Sequence, residues 1–196
     1  MNLKFIVLSL FLLFFNCQGQ ELSDQIQIVD KITGFKMDLP EGFEQLTDSE
    51  MSNMMTIGKE KIDNVYHSDI ELSGGDPMMF KKDNYNYFII HIKDYDPAVD
   101  GDYNDAVVNT NNVLYETYRQ TFKNAKIDTV TSSEKIDGVT FDRYSIKIEI
   151  PPKTNMKILS YSTYKEGKDI AVSVAYSNDE TGEEILKALR SAKFSE

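Results

Sequence analysis

The chain has 196 residues, 32 acidic and 21 basic side chains, and a formal net charge of −11. This acidity argues against nucleic acid as a partner, because phosphates select Lys and Arg, and against docking on anionic lipid through a basic patch. The single cysteine, Cys17, excludes an internal disulfide, and the length suffices to bury one core without disulfides. We therefore expect one disulfide-free domain.

The N-terminus predicts a secretory signal. Lys4 precedes an apolar run over residues 5–15, which only Ser9 interrupts. The run is shorter than the ~20 apolar residues that span a bilayer, and it has the length of the apolar segment of a signal peptide. We therefore expect export to a bacterial cell envelope, as a membrane-anchored lipoprotein or a soluble periplasmic protein. The predicted parts are a signal peptide (1–16), a tether (17–25) and a single domain (26–195).

Cys17 allows two interpretations of how this signal is processed. In the first, Cys17 becomes the lipidated first residue of a lipoprotein, although Asn16 stands where a small residue is expected. In the second, a signal peptidase cuts after Gly19, so that the signal covers 1–19 and Cys17 is lost with it. We favour lipidation, because a single cysteine in an exported domain has no disulfide partner. The polar segment that follows would then hold the domain close to a membrane.

The first part of the domain predicts two short strands and a helix. Apolar residues alternate on both sides of a turn at Thr33–Gly34, which is typical of paired strands. Thr47 and Glu50 have the spacing of a capping box, so a helix is expected to begin at Thr47. Three methionines follow at helical spacing. Core packing explains them better than a soft-metal site, because no His or Cys lies nearby. They are Met51, Met54 and Met55.

The next part predicts a central strand and a sheet. After a polar loop over 63–77, a hairpin is expected whose second strand, around residues 85–92, is largely apolar on both faces. A long helix is expected over 103–123. Four strands follow at 126–135, 138–150, 156–165 and 168–176, and a final helix begins at Thr181. The hairpins predict a mainly antiparallel sheet, and the strand that is apolar on both faces predicts helices on both sides.

Two segments resemble PsbP-like domains. They are "ITGFKMDLPEGF", a strand that runs into Pro-x-Gly-aromatic, and the C-terminal "KILSYSTYKEGKDIAVSVAYSNDETGEEILKALRSAKF". Photosystem II extrinsic proteins, a eukaryotic Ran-binding relative and bacterial envelope lipoproteins share this fold. The resemblance implies an α+β fold, an α/β/α sandwich whose central, mainly antiparallel sheet is covered by helices on both faces. It also implies a non-enzymatic binding role, but no functional residue carries over.

An aspartate-rich segment, residues 94–105, is the strongest polar cluster. Closely spaced carboxylates can supply the oxygens that calcium requires, although the spacing does not match an EF-hand. The alternative is a strand-to-helix loop, in which aspartates cap the next helix and favour its positive N-terminus. A calcium site here is therefore a hypothesis, and Ca²⁺ is the one cofactor considered. The candidate ligands are Asp94, Asp96, Asp100, Asp102 and Asp105.

We predict no enzyme and no catalytic residue. The sequence has no nucleophile elbow, phosphate-binding loop or metal-hydrolase motif. His91 lies in the expected central strand, and we interpret it as a hydrogen-bonded residue beneath a helix; a catalytic His91 with acidic neighbours is a weaker rival. Most of the eleven tyrosines are expected in the core, whereas exposed ones would mark a binding surface.

The function predicted is that of an exported, lipid-anchored envelope protein with a non-enzymatic binding or scaffolding role. Its expected partners are a membrane, reached through the lipid anchor, and an envelope protein or small ligand that the sequence does not identify. The alternative is a module that binds calcium or a small ligand through the 94–105 segment.

Overall fold

The computed structural model describes residues 25–66, 77–152 and 154–194. The strands in these ranges are β1 (Gln27–Val29), β2 (Phe35–Asp38), β3 (Glu44–Gln45), β4 (Met78–Asp83), β5 (Asn86–Asp94), β6 (Lys126–Ile136), β7 (Val139–Ile150), β8 (Thr154–Lys165), β9 (Lys168–Tyr176) and β10 (Lys193–Phe194). The helices are α1 (Asp48–Tyr66), α2 (Pro97–Asp100), α3 (Tyr103–Thr121) and α4 (Asp179–Arg190).

These strands form two antiparallel sheets. The larger has seven strands in the order β3-β4-β5-β9-β8-β7-β6, and the smaller has the order β1-β2-β10. Short hairpins connect most neighbours; between β8 and β9 the loop is Glu166–Gly167, and both residues have positive φ (54° and 74°). That conformation suits the right-handed twist of the strands, and glycine adopts it without steric cost.

One face of the large sheet carries the main core. Alternating side chains of the inner strands, among them Phe88 and Ile90 of β5, are fully buried there. The small sheet and α4 cover this face, and Ile185 and Leu189 of α4 belong to the same cluster. The prediction that the strand around residues 85–92 is central is confirmed, because β5 lies between β4 and β9.

Helices α1 and α3 lie on the opposite face, so the predicted α/β/α sandwich is confirmed. Leu114 and Tyr118 of α3 pack against Ile146 and Ile158 of the sheet. Helix α1 lies beside β4, where it contacts α3 and buries no residue fully. Met55 is 38% exposed, so the core prediction for the three methionines was wrong in this case. The physical reason is that α1 covers only the margin of the sheet.

Helix ends differ from the prediction in three places. Helix α3 ends at Thr121, two residues before the predicted end. Helix α1 continues to Tyr66, into the predicted loop over 63–77. Helix α4 begins two residues before Thr181, because the side chain of Asn178 accepts hydrogen bonds from the amides of Glu180 (2.8 Å) and Thr181 (3.4 Å) and caps the helix earlier.

Several predicted features lie outside the described residues. They are the signal peptide, Cys17 with most of the tether, and His67 with the rest of the predicted loop. Among the described residues, no helix combines the length and the apolar character needed to cross a bilayer.

Candidate binding surface at the end of strand β5

Three tyrosines from distant parts of the chain meet where β5 ends. Tyr95 directly follows β5, Tyr103 opens α3, and Tyr164 lies near the end of β8. The ring centroids of Tyr95 and Tyr103 are 5.1 Å apart in an edge-to-face arrangement, and Tyr164 lies 5.9 Å from Tyr95 and 5.7 Å from Tyr103. The β5–β9–β8 ladder brings Tyr164 to this position, because it pairs Asp94 with Lys168 and Lys168 with Lys165.

Hydrogen bonds hold two of these rings in place. The Tyr103 hydroxyl donates to Oδ1 of Asp169 at 2.9 Å, and the Tyr95 hydroxyl donates to the carbonyl of Gly101 at 3.1 Å. Tyr95 is 7% exposed, whereas Tyr164 is 42% exposed. The cluster is therefore a fixed aromatic platform with one ring open to solvent.

Carboxylates surround this aromatic platform. Burial raises the pKa of the Tyr95 phenol, and the negative charges of Asp100 and Asp102 raise it further. Burial, followed by the charge and hydrogen bond of Asp169, also raises the pKa of Tyr103. Both phenols therefore stay protonated at neutral pH. No Lys or Arg occurs from Asp94 to residue 118. Lys168 pairs with Asp94 and Lys93 pairs with Asp169, and the other aspartates leave the region with a net negative charge. We call this region the tyrosine–aspartate surface: Tyr95, Tyr103, Tyr164, Asp94, Asp96, Asp100, Asp102, Asp105 and Asp169.

Two of the aspartates cap helices, as the loop interpretation predicts. Oδ1 of Asp96 accepts from the amide of Ala98 at 2.9 Å and caps the single turn of α2. Oδ1 of Asp102 accepts from the amide of Asp105 at 3.1 Å and caps α3. These carboxylates satisfy amides that the helices leave without an intrahelical partner.

The other contacts of the segment do not assemble a metal site. Asp100 accepts from the amide of Asp96 at 2.8 Å, and Asp94 forms an ion pair with Lys168 at 2.6 Å. In the part of the chain that the structure covers, no group of three or more His, Cys, Asp or Glu side chains is placed to hold a metal ion. The calcium hypothesis for the five aspartates gains no support from this geometry and stays a prediction.

His91 lies on the sheet face that α1 and α3 cover, opposite Ala171 of β9. Its Nε2 is buried and has no hydrogen-bond partner among the described residues, so the expected hydrogen bond is not found at that nitrogen. Two of the open clefts among the described residues lie elsewhere. One, of about 820 Å³, is lined by residues that include Gln25, Lys82 and Glu184; the other, of about 360 Å³, lies beside α1. His91 lines neither cleft.

The sequence pattern singled out the aspartates, but it did not join the three tyrosines to them. Tyr95 lies beside the predicted strand around residues 85–92, Tyr164 lies in the predicted strand 156–165, and Tyr103 opens the predicted helix 103–123. A usable signal was present, since Tyr95 and Tyr103 are interleaved with the aspartates of the 94–105 segment.

Comparison with solved structures identifies the fold. The solution structure of CyanoP, the cyanobacterial PsbP of Synechocystis sp. PCC 6803, superposes with a TM-score of 0.54 at 11% identity, over 93% of this chain and 99% of that one. The resemblance to the PsbP fold is therefore confirmed. At this identity the likeness concerns the fold alone.

Two further structures are similar at lower TM-scores. A protein of Bacteroides thetaiotaomicron VPI-5482 gives 0.45 at 10% identity, over 89% of this chain and 50% of that one. The Saccharomyces cerevisiae Ran-binding protein Mog1p gives 0.43 at 8% identity, over 88% and 96%. No family model and no curated protein matches the sequence.

Proposed function

We propose that this protein is exported, is anchored to a membrane by a lipid on Cys17, and binds a basic protein partner without catalysing a reaction. The predicted signal peptide supports export, and the isolated cysteine at its end supports the anchor. The binding role is inferred from the tyrosine–aspartate surface. The sequence motifs of hydrolases, kinases and nucleotide-binding enzymes are missing, which favours a binding role over an enzymatic one.

The observation that carries the binding proposal is the open ring of Tyr164 above an acidic rim. An Arg or Lys side chain can lie over a tyrosine face, an attraction of about 0.5–2 kcal/mol, while its charge pairs with a carboxylate. Tyr95 and Tyr103 support Tyr164 from below, so its ring is already placed before a partner arrives. A fixed ring loses little conformational entropy on binding, which favours affinity.

A charge-removal experiment tests this proposal with heptaarginine as the probe. A fourfold Asp→Asn variant removes four charges from the rim and keeps the caps, because Asn caps helices as well as Asp. Its positions are Asp96, Asp100, Asp102 and Asp105. A fourfold Glu→Gln control removes the same total charge from other exposed positions. Its positions are Glu41, Glu60, Glu180 and Glu183.

Calorimetry at low ionic strength should show a clear difference between the two variants. Because each exposed pair contributes about 0.2–1 kcal/mol, we expect the rim variant to bind heptaarginine about tenfold more weakly. The control should bind within about twofold of the native protein, since only its general charge changes. Equal loss in both variants would show that net charge alone attracts the peptide, and it would refute a specific surface.

Tyr164 provides a second test that does not alter charge. Tyr164→Ala should weaken heptaarginine binding about 2–30-fold, the range that a cation–π contact of about 0.5–2 kcal/mol supplies. Tyr85→Ala is the matched control, because Tyr85 is 63% exposed in the β4–β5 turn, at the opposite end of β5 from the tyrosine–aspartate surface. If both substitutions act equally, the aromatic part of the proposal is wrong.

The anchor has its own test. Mass spectrometry of the mature N-terminus should find a diacylglyceryl-modified Cys17, and Cys17→Ala should release the protein from membranes. A chain that begins at Gln20 would show that an ordinary signal peptidase cuts after Gly19. This outcome would leave the binding surface untouched, so the two parts of the proposal fail independently.

Calcium is the second candidate ligand, at the same aspartate segment. The short spacing of the five aspartates in the sequence favours it. Titration of the purified protein with calcium should then release heat and raise the melting temperature. If neither occurs at millimolar calcium, the hypothesis ends.

A further inference from the structure

Strand β6 is a long edge strand of the seven-stranded sheet. It runs for 11 residues and pairs with β7 along its whole length, in one continuous register. Among the described residues, no strand pairs with its other side. Alternate backbone N–H and C=O groups of β6 therefore point outward, where they can pair with a further strand.

The usual protections of an edge strand are missing from the middle of β6. Natural sheets protect their edges with short strands, prolines, bulges or charges. The opposite edge of this sheet, β3, has only two residues. In β6, by contrast, residues 129–133 read Thr-Val-Thr-Ser-Ser, without charge or proline, and Val130 is 59% exposed. This composition combines high strand propensity with an open hydrogen-bonding edge.

We propose that β6 pairs antiparallel with β6 of a second copy of this chain, around a two-fold axis at Val130. The sequence of the strand is complementary to itself in this register. Val130 faces Val130 of the partner subunit, and Thr129 faces Thr131 of the partner subunit. Lys126 faces Glu134 of the partner subunit, so no like charges lie opposite each other. Apolar and threonine pairs of this kind stabilise adjacent strands.

The two-fold register centred one residue further along, at Thr131, is less favourable. If the axis were at Thr131, Asp128 would face Glu134 of the partner subunit, and like charges directly opposite each other destabilise a strand pair. A two-fold axis perpendicular to the sheet must pass midway between a residue and its own copy, because directly opposed residues share a face. The charge pattern therefore selects Val130 over Thr131 as the centre.

The dimer is expected to be weak. Nine residues on each strand, 126–134, overlap in this register, and an edge contact of this length buries less than the roughly 1,200 Å² of a standard stable interface. We expect a dissociation constant on the order of 10–100 µM for the purified protein, in the range of transient assemblies. Sedimentation over a wide concentration range should show a reversible monomer–dimer equilibrium.

Two exposed valines provide a matched pair of variants. Val130→Lys would place two ammonium groups at the two-fold axis, and it should weaken the dimer at least tenfold. Val108→Lys is the control, because Val108 is 55% exposed and lies on α3, a helix that covers one face of the sheet. The control should dimerise like the native protein. A native protein that stays monomeric at several hundred micromolar, or a Val130→Lys variant that dimerises normally, overturns the proposal.

Cysteine cross-linking tests the register itself, in a Cys17→Ala background. Opposed residues of antiparallel strands have Cα atoms about 4.5–5.5 Å apart, within reach of a disulfide. Val130→Cys should therefore form a covalent dimer under mild oxidation. Ser132→Cys should not, because four positions separate it from its copy along the strand, about 13 Å. Equal cross-linking at both positions refutes this register, and so does an absence of cross-linking at position 130. No cross-linking at position 130 is also the expected result if β6 instead binds an extended peptide of another protein.

Discussion

Gly182 is the position where one added methyl group should have the largest effect on the stability of the fold. It lies in α4 and faces the ring of Tyr176, which is 6% exposed. A Cβ atom at Gly182 would lie 2.4, 2.5 and 2.6 Å from Cε2, Cδ2 and Cζ of that ring. Ordinary carbon contacts are about 3.5–4.0 Å, so α4 and β9 would have to separate by about 1 Å.

The expected cost of Gly182→Ala follows from two opposing effects. Overpacking a buried site costs about 1–3 kcal/mol, and contacts this short place the substitution at the upper end of that range. Replacing a helical glycine by alanine stabilises the helix by about 0.5–1 kcal/mol. The net loss in unfolding free energy is therefore about 2 kcal/mol. For a domain of this size, such a loss lowers the melting temperature by about 4–8 °C.

Gly58 is the matched control, because it lies in α1 and an added Cβ would have no atom within 4 Å. Gly58→Ala should therefore raise the free energy of unfolding by about 0.5–1 kcal/mol. Denaturant unfolding followed by circular dichroism measures both variants. In a Tyr176→Ala background the ring is gone, so Gly182→Ala should become stabilising. If Gly182→Ala is as stable as the native protein, the packing argument is wrong.

Two further predictions concern helix caps. The hydrogen bond from Lys81 and, after it, those from Thr47 together lower the pKa of Glu50 to about 2. Glu50→Gln should therefore lower the melting temperature at pH 7. The difference in melting temperature between the variant and the native protein should shrink as the pH falls from 4.5 towards 2. A difference that stays constant with pH would refute the charge effect. Asp102→Ala should cost about 0.5–2 kcal/mol in denaturant unfolding, because the Asp105 amide loses its acceptor, and Asp102→Asn should restore it. Equal losses in both would contradict capping.

Local patterns were enough to predict most of the fold. Alternation of apolar residues located β5, and the two-residue turn at Glu166–Gly167 fixed the last hairpin, since both signals depend on neighbours in sequence. The start of α4 was missed because Asn178 and Thr181 are both acceptable caps, and only the backbone path decides which amides each can reach.

The candidate surfaces depend on strand order, which local patterns do not determine. Tyr164 reaches Tyr95 only because β9 lies between β5 and β8. Similarly, the residues of β6 predict a strand, but nothing in them states that β6 ends the sheet. Both features result from pairing between distant segments, and a single sequence carries no local signal for that pairing.

The proposed anchor and the proposed dimer constrain each other. A two-fold dimer with both copies anchored in one membrane has its axis along the membrane normal, and the axis at Val130 is perpendicular to the sheet. The sheet would then lie flat above the membrane. If the strands stood upright on the membrane, the two tethers would leave from opposite ends of the dimer. One tether would then have to reach the membrane along the length of the domain, whereas the eight residues from Cys17 to 24 span at most about 28 Å.

The fold decides which face of that flat sheet is turned to the membrane. The tether enters at β1, which belongs to the small sheet on the α4 face. Tyr103 opens α3 on the opposite face, so the tyrosine–aspartate surface would point away from the lipid in both copies. Its carboxylates would then be separated from anionic head groups by the thickness of the domain, which exceeds the ~8 Å screening length of physiological salt. The proposed anchor and the proposed β6 pairing would together hold the acidic surface away from the membrane.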